Sequence, residues 1–175
     1  RQVKLRIEKE VRKEFDRYQT NSKIYKNYLT RYLDDTRLAL EAAKESLARN
    51  PSLAQGWSIL GQIRPSWAGA VARRSGDFES LFADSADDLG RAAELDPGDA
   101  RPRVALADLL LNWGLQRART GGDPAPLYAR AEAVGKRSVE RNAGDGDAWE
   151  SLALVHLNWG TWLKEQEEDP GEPYR

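Results

Sequence analysis

Residues 109–114 read Leu109-Leu110-Leu111-Asn112-Trp113-Gly114, and 46 residues later the chain reads Val155-His156-Leu157-Asn158-Trp159-Gly160. This echo decides the fold, because self-similarity at a fixed interval of roughly 20–50 residues marks a chain of stacked supersecondary units. Working outward, the same interval separates Leu60, Leu106 and Leu152, then Ile63, Leu109 and Val155, then Trp67, Trp113 and Trp159. Turn signals keep the register as well: Asn50-Pro51, Asp96-Pro97 and Asn142-Ala143, and then Gly76-Asp77, Gly122-Asp123 and Asp169. Phe82, Tyr128 and Tyr174 complete it, with no insertion anywhere.

Each interval reads as two helices. The first follows the Asn/Asp-Pro turn. In the central unit Asp99 is placed to cap it, and Pro102 is tolerated in the first turn, where a backbone N–H has no intrahelical partner. Leu106, Leu109, Leu110 and Trp113 then recur at three- and four-residue steps, the signature of one helix face. Thr120-Gly121-Gly122-Asp123-Pro124 stops this helix, and a second spans about 126–141. The preceding unit gives helices over about 53–74 and 79–95, with Pro65 expected to kink or break the first. The last first helix covers about 147–165. The expected class is all-α, an α-solenoid of helix-turn-helix repeats.

The ends depart from the pattern. Residues 33–49 occupy the second-helix register, through Leu38, Leu40, Ala43 and Leu47. Ile7, Val11, Phe15 and Tyr18 form an earlier helical stripe, consistent either with a degenerate first repeat over 3–19 or with a longer linking helix. The chain therefore divides into an N-terminal helical segment, 1–32, and a repeat array, 33–175. Asp169-Pro170-Gly171-Glu172-Pro173-Tyr174 parallels Asp123–Tyr128, so the array is expected to end as another second helix begins.

These residues resemble the tetratricopeptide repeat, whose pattern runs Trp-x2-Leu-Gly-x2-Tyr and then Ala-x3-Phe-x2-Ala-x4-Pro. Trp57-x2-Leu60-Gly61 and Trp149-x2-Leu152-Ala153 match the first half. Ser85-x3-Leu89-x2-Ala92-x4-Pro97 matches the second, with weaker copies from Ala39 to Pro51 and from Ala131 to Ala143. The family period is about 34 residues, and here a longer first helix and the Gly-Asp turn extend it. Arrays of this length look like the repeat regions C-terminal to the catalytic domain of some bacterial eukaryotic-like Ser/Thr protein kinases. No kinase motif occurs in these residues.

The remaining features exclude more than they assign. The chain has 175 residues, 40% apolar and 31% charged, with a net charge of −1, enough apolar content for a core and no overall basic surface for nucleic acid. Nine Lys/Arg and four Asp/Glu fall within residues 1–30 and read as a solvated helix face. There is no cysteine and no apolar run long enough to span a membrane, so neither a membrane nor a thiol site is expected. Neither a metal nor a cofactor is expected. His156, the single histidine, has no second histidine or cysteine to share a metal and reads as a packing residue. Asp145, Asp147 and Glu150 lack calcium-loop spacing and read as a turn. Trp67, Trp113 and Trp159 read as packing between repeats, with Ala68, Gly114 and Gly160 permitting close helix approach.

Carried over residue by residue, the resemblance implies a groove lined by the first helices: Gln55, Ser58 and Gln62; Arg101, Val104, Asp108 and Asn112; Glu150, Leu154 and Asn158. Some family members clamp a partner's C-terminal carboxylate with cations one and five residues after the first Trp. Here those positions are Ser58/Gln62, Val104/Asp108 and Glu150/Leu154, with no cation. The expectation is a non-enzymatic, cytoplasmic interaction scaffold for a basic or polar protein segment, in a larger kinase-like signalling protein. A homodimer through the end repeats is a variant of it. The alternative is a small-ligand sensor or enzyme using an aromatic pocket between the long helices.

Overall fold

The computed structural model describes residues 2–75 and 78–168. Its described residues form six helices: α1 (Gln2–Arg49), α2 (Ala54–Ser75), α3 (Glu79–Leu95), α4 (Arg101–Arg119), α5 (Ala125–Arg141) and α6 (Gly146–Glu168). The protein is all-α. The Gly76-Asp77 turn and the expected further helix start at Asp169–Tyr174 lie outside the described residues.

Two compact units are present, residues 1–39 and 40–175. Helix α1 is continuous where the sequence left a separate helix over 3–19 open. The reason is local: residues 1–50 contain neither Gly nor Pro, so nothing halts propagation before Asn50-Pro51. There the Asn50 side chain accepts from the Ser52 N–H at 3.2 Å and turns the chain.

The second unit holds the repeat core. α2 packs on α3, α4 on α5, and α5 on α6. Successive pairs join where α3 meets α4, and the first helices touch along the series, α2 with α4 and α4 with α6. The main core runs from Ala86 and Leu89 through Leu106, Leu109, Leu110 and Trp113 to Tyr128, Ala131 and Val155. A smaller cluster of Ala43, Leu47 and Leu60 seats the end of α1 on α2.

Helix starts follow the turn carboxylates. Asp99 accepts the Arg101 N–H at 3.0 Å, Asp123 the Ala125 N–H at 2.9 Å, and Asp145 the N–H groups of Asp147 and Ala148. Each satisfies donors that a helix cannot satisfy itself. Of the kink or break expected at Pro65, no break occurs, and α2 runs through it.

Close approach depends on two glycines. A Cβ on Gly61 would lie 2.5 Å from Leu89 Cγ, and one on Gly114 would lie 2.6 Å from the Tyr128 ring. Real Cβ contacts do not reach such distances, so α2–α3 and α4–α5 pack as they do because these positions lack side chains.

Candidate functional site

Trp113 and Trp159 pack against neighbouring helices. Trp113 is buried, stacked on Phe82 of α3 with centroids 5.9 Å apart. One period on, Trp159 meets Tyr128 of α5 at 6.4 Å. Trp113 Nε1 donates to Glu79 at 2.8 Å, and Arg117 holds the same carboxylate through two hydrogen bonds of 3.0 and 2.6 Å. Trp159 Nε1 is buried without a partner, because Ala125 stands where α3 has Glu79. The side chain of Trp67 lies outside the described residues.

A second tryptophan rung marks the start of the first helices. Trp57 donates to the Pro51 carbonyl and Trp149 to the Ala143 carbonyl, both at 2.9 Å. The equivalent central position is Arg103, which is buried with Nε unpartnered. The corresponding Pro97 carbonyl is instead served by Arg141 at 3.0 Å. One arginine thus replaces the missing indole donor.

A cleft of about 580 Å³ lies along α2 and α4 and under the turns that open α4 and α6. Of the sequence-derived groove residues it brings together Gln55, Ser58, Gln62, Arg101, Val104 and Asp108. Asn112, Glu150, Leu154 and Asn158 do not line it. Asn112 and Asn158 turn back to donate to the carbonyls of Asp108 and Leu154, each at 2.8 Å. Leu154 and Glu150 are exposed on α6, and Asn158 borders a separate hollow of about 330 Å³ beside Tyr128 and Trp162. The register assigned these residues to one face, but the α6 turn, not its middle, closes the cleft.

Four carboxylates that the groove reading missed belong to the cleft: Asp96, Asp99, Asp145 and Asp147. Their signal was present, since Asp99 and Asp145 share a register position, as do Arg101 and Asp147. It was absorbed into turn and capping roles. With Asp108, five carboxylates face one cation, Arg101, which is bound to Asp99 at 2.8 Å. That hydrogen bond holds the Asp99 carboxyl below the ordinary range, so Asp99 stays charged well into acid. Asp108 also accepts the Ser151 hydroxyl at 2.6 Å, tying α4 to α6 beneath the cleft.

His156 is not a packing residue. It is exposed on α6 with Nε2 3.6 Å from Glu132 of α5. Among the described residues no cluster of His, Asp and Glu could hold a metal ion, and no helix is long and apolar enough to cross a membrane. No protein-family model matches this chain, and no curated protein matches it either.

Proposed function

We propose that the helix pairs form a TPR-like α-solenoid and that the chain is a non-catalytic interaction scaffold. Its acidic cleft takes an extended, basic or polar segment of a partner protein. The observation that carries this reading is the charge of the cleft: five aspartates against one arginine already engaged. A Lys/Arg-bearing segment gains from such a surface chiefly through steering and choice of partner. Burial of Trp113 against Phe82 favours packing over an open aromatic pocket, which argues against the sensor or enzyme reading. The resemblance to kinase-associated arrays supports a signalling context.

The test is fluorescence anisotropy with labelled extended peptides rich in Lys/Arg, against Asp/Glu-rich peptides of equal length. The basic set binds, and binding weakens steeply as salt is raised. Gln55→Lys/Asp147→Lys, both at exposed positions lining the cleft, reduces affinity at least about tenfold, near 1.4 kcal/mol. Equal binding of both peptide sets, or no effect of the double variant, would sink the assignment.

A further inference from the structure

Arg103 stands in α4 where α2 has Trp57 and α6 has Trp149. It is 8% exposed, and its guanidinium finds neither a hydrogen-bond acceptor nor an ion-pair partner among the described residues. Arginine cannot shed its charge, so deprotonation offers no relief. A buried charge is costly unless it is paired and hydrogen-bonded, and a buried polar group without a partner calls for an explanation. Burial opposes the Arg103 charge most, and repulsion from Arg141 opposes it further. Two cations therefore sit close together at this point of the repeat.

The second cation is held in place. Arg141, at the end of α5, donates Nη1 to the Pro97 carbonyl, the equivalent of the carbonyls that Trp57 and Trp149 reach. Arg137 lies one turn earlier on the same face of α5, exposed and without a partner among the described residues. Its equivalent, Arg91, lies over the Trp57 ring at 4.9 Å, so the register turns Arg137 toward the place of Arg103. Asp96 and Asp99 attract Arg103 but form no ion pair with it. Asp96 accepts the N–H groups of Gly98 and Asp99, and Asp99 is bound by Arg101. Arg103 does not line the acidic cleft; two residues on from Arg101, it lies about 200° around the helix.

We propose that Arg103 and Arg141 form a binding site for a phosphate group, on the side of α4 turned away from the acidic cleft. A guanidinium fork presents paired N–H donors that match the oxygens of a phosphate or a carboxylate. Charge decides between the two. A phosphate group carries about −1.5 to −2 charges near neutral pH and balances two guanidiniums, whereas a carboxylate balances one. The small opening at Arg103 suits a compact group, and Arg137 meets it from the surface. The exchange of Trp for Arg creates the site. In the flanking units an indole fills the same place and is satisfied by its own turn carbonyl, leaving no charge to neutralise. The site is separate from the cleft, so its failure leaves the peptide-binding reading untouched.

The test is titration calorimetry of the 175-residue chain with inorganic phosphate and with phenyl phosphate. Acetate supplies the carboxylate arm, and chloride holds the ionic strength constant. Phosphate binds one to one, and at about ten times its Kd it raises the thermal midpoint by about 3–6 °C. Acetate binds at least about tenfold more weakly. Arg103→Trp installs the residue of the flanking units, keeps its helicity by circular dichroism, and lowers phosphate affinity at least about tenfold. Should that variant misfold, Arg141→Gln, at an exposed position, carries the same test with a loss of at least about threefold. Binding of inorganic phosphate alone supports a site for the free ion; binding of phenyl phosphate as well supports one that reads a phosphate ester. No saturable heat with either phosphate overturns the proposal. So does acetate binding as tightly as phosphate, or an affinity unchanged in Arg103→Trp or, if that variant misfolds, in Arg141→Gln.

Discussion

Asp88 offers a quantitative check on how the repeat tolerates charge in its interior. It is the buried carboxylate of the described core, its Oδ2 3.0 Å from Arg64 Nη1 but without a hydrogen bond of good geometry. Burial raises its pKa from 3.8 to about 6, offset in part by Arg64 and reinforced by Asp84 and Asp87. One period on, the equivalents of Arg64 and Asp88 are Leu110 and Val134, so the same helix pair can be built without charge. A folded-state pKa above the unfolded value means that this group's contribution is fully present below pH 3.8 and lost as pH rises through about 6. The shift of about two units corresponds to roughly 3 kcal/mol lost by pH 7, and to roughly half of that by pH 5. Replacing a buried ion pair by fitted apolar groups is worth about 1–4 kcal/mol. Arg64→Leu/Asp88→Val is therefore expected to be more stable than the parent at pH 7 by that amount. The advantage shrinks by about 1–1.5 kcal/mol at pH 5. Arg64→Leu alone is destabilised at pH 7, because it leaves the carboxylate unpaired. Urea denaturation of all three chains at both pH values measures this. A double variant less stable than the parent, or a difference independent of pH, would refute the reasoning.

Three further outcomes follow from the same geometry. Gly114→Leu drives a side chain into the Tyr128 ring and is expected to cost at least about 1–3 kcal/mol in denaturant melts, whereas the equivalent Gly160→Leu, whose Cβ meets nothing within 4 Å, costs little. Trp113→Phe keeps an aromatic ring over Phe82 but loses the bond to Glu79; it is expected to lose about 1–2 kcal/mol, and the loss is smaller in a Glu79→Gln background. Ala125→Glu transplants the α3 carboxylate to the start of α5, giving Trp159 Nε1 its missing acceptor, and is expected to raise the thermal midpoint by a few degrees, equivalent to about 1 kcal/mol.

The cleft was legible in part. Gln55, Ser58, Gln62, Arg101, Val104 and Asp108 could be named from register, because first helices set against first helices share one inner face. The carboxylates that give it its sign could not, because Asp96, Asp99, Asp145 and Asp147 already had local work as turn and cap residues. Local patterns explain such a residue fully and leave no unexplained signal. Asn112 and Asn158 failed for the reverse reason: their side chains return to their own helix carbonyls, a choice that register does not reveal.

Sequence alone determined the 46-residue unit, the placement of five helices in the repeats to within a few residues, and Trp113 and Trp159 as packing groups. Those features rest on apolar periodicity and on Gly, Pro and Asp chemistry, which act over a few residues. Tertiary structure decided that α1 is unbroken and that Pro65 does not interrupt α2. It decided that Arg141 serves the Pro97 carbonyl where Arg103 stands in place of a tryptophan. Each of these depends on what a neighbouring helix supplies or withholds, and partners some 40 residues apart are brought together only by packing.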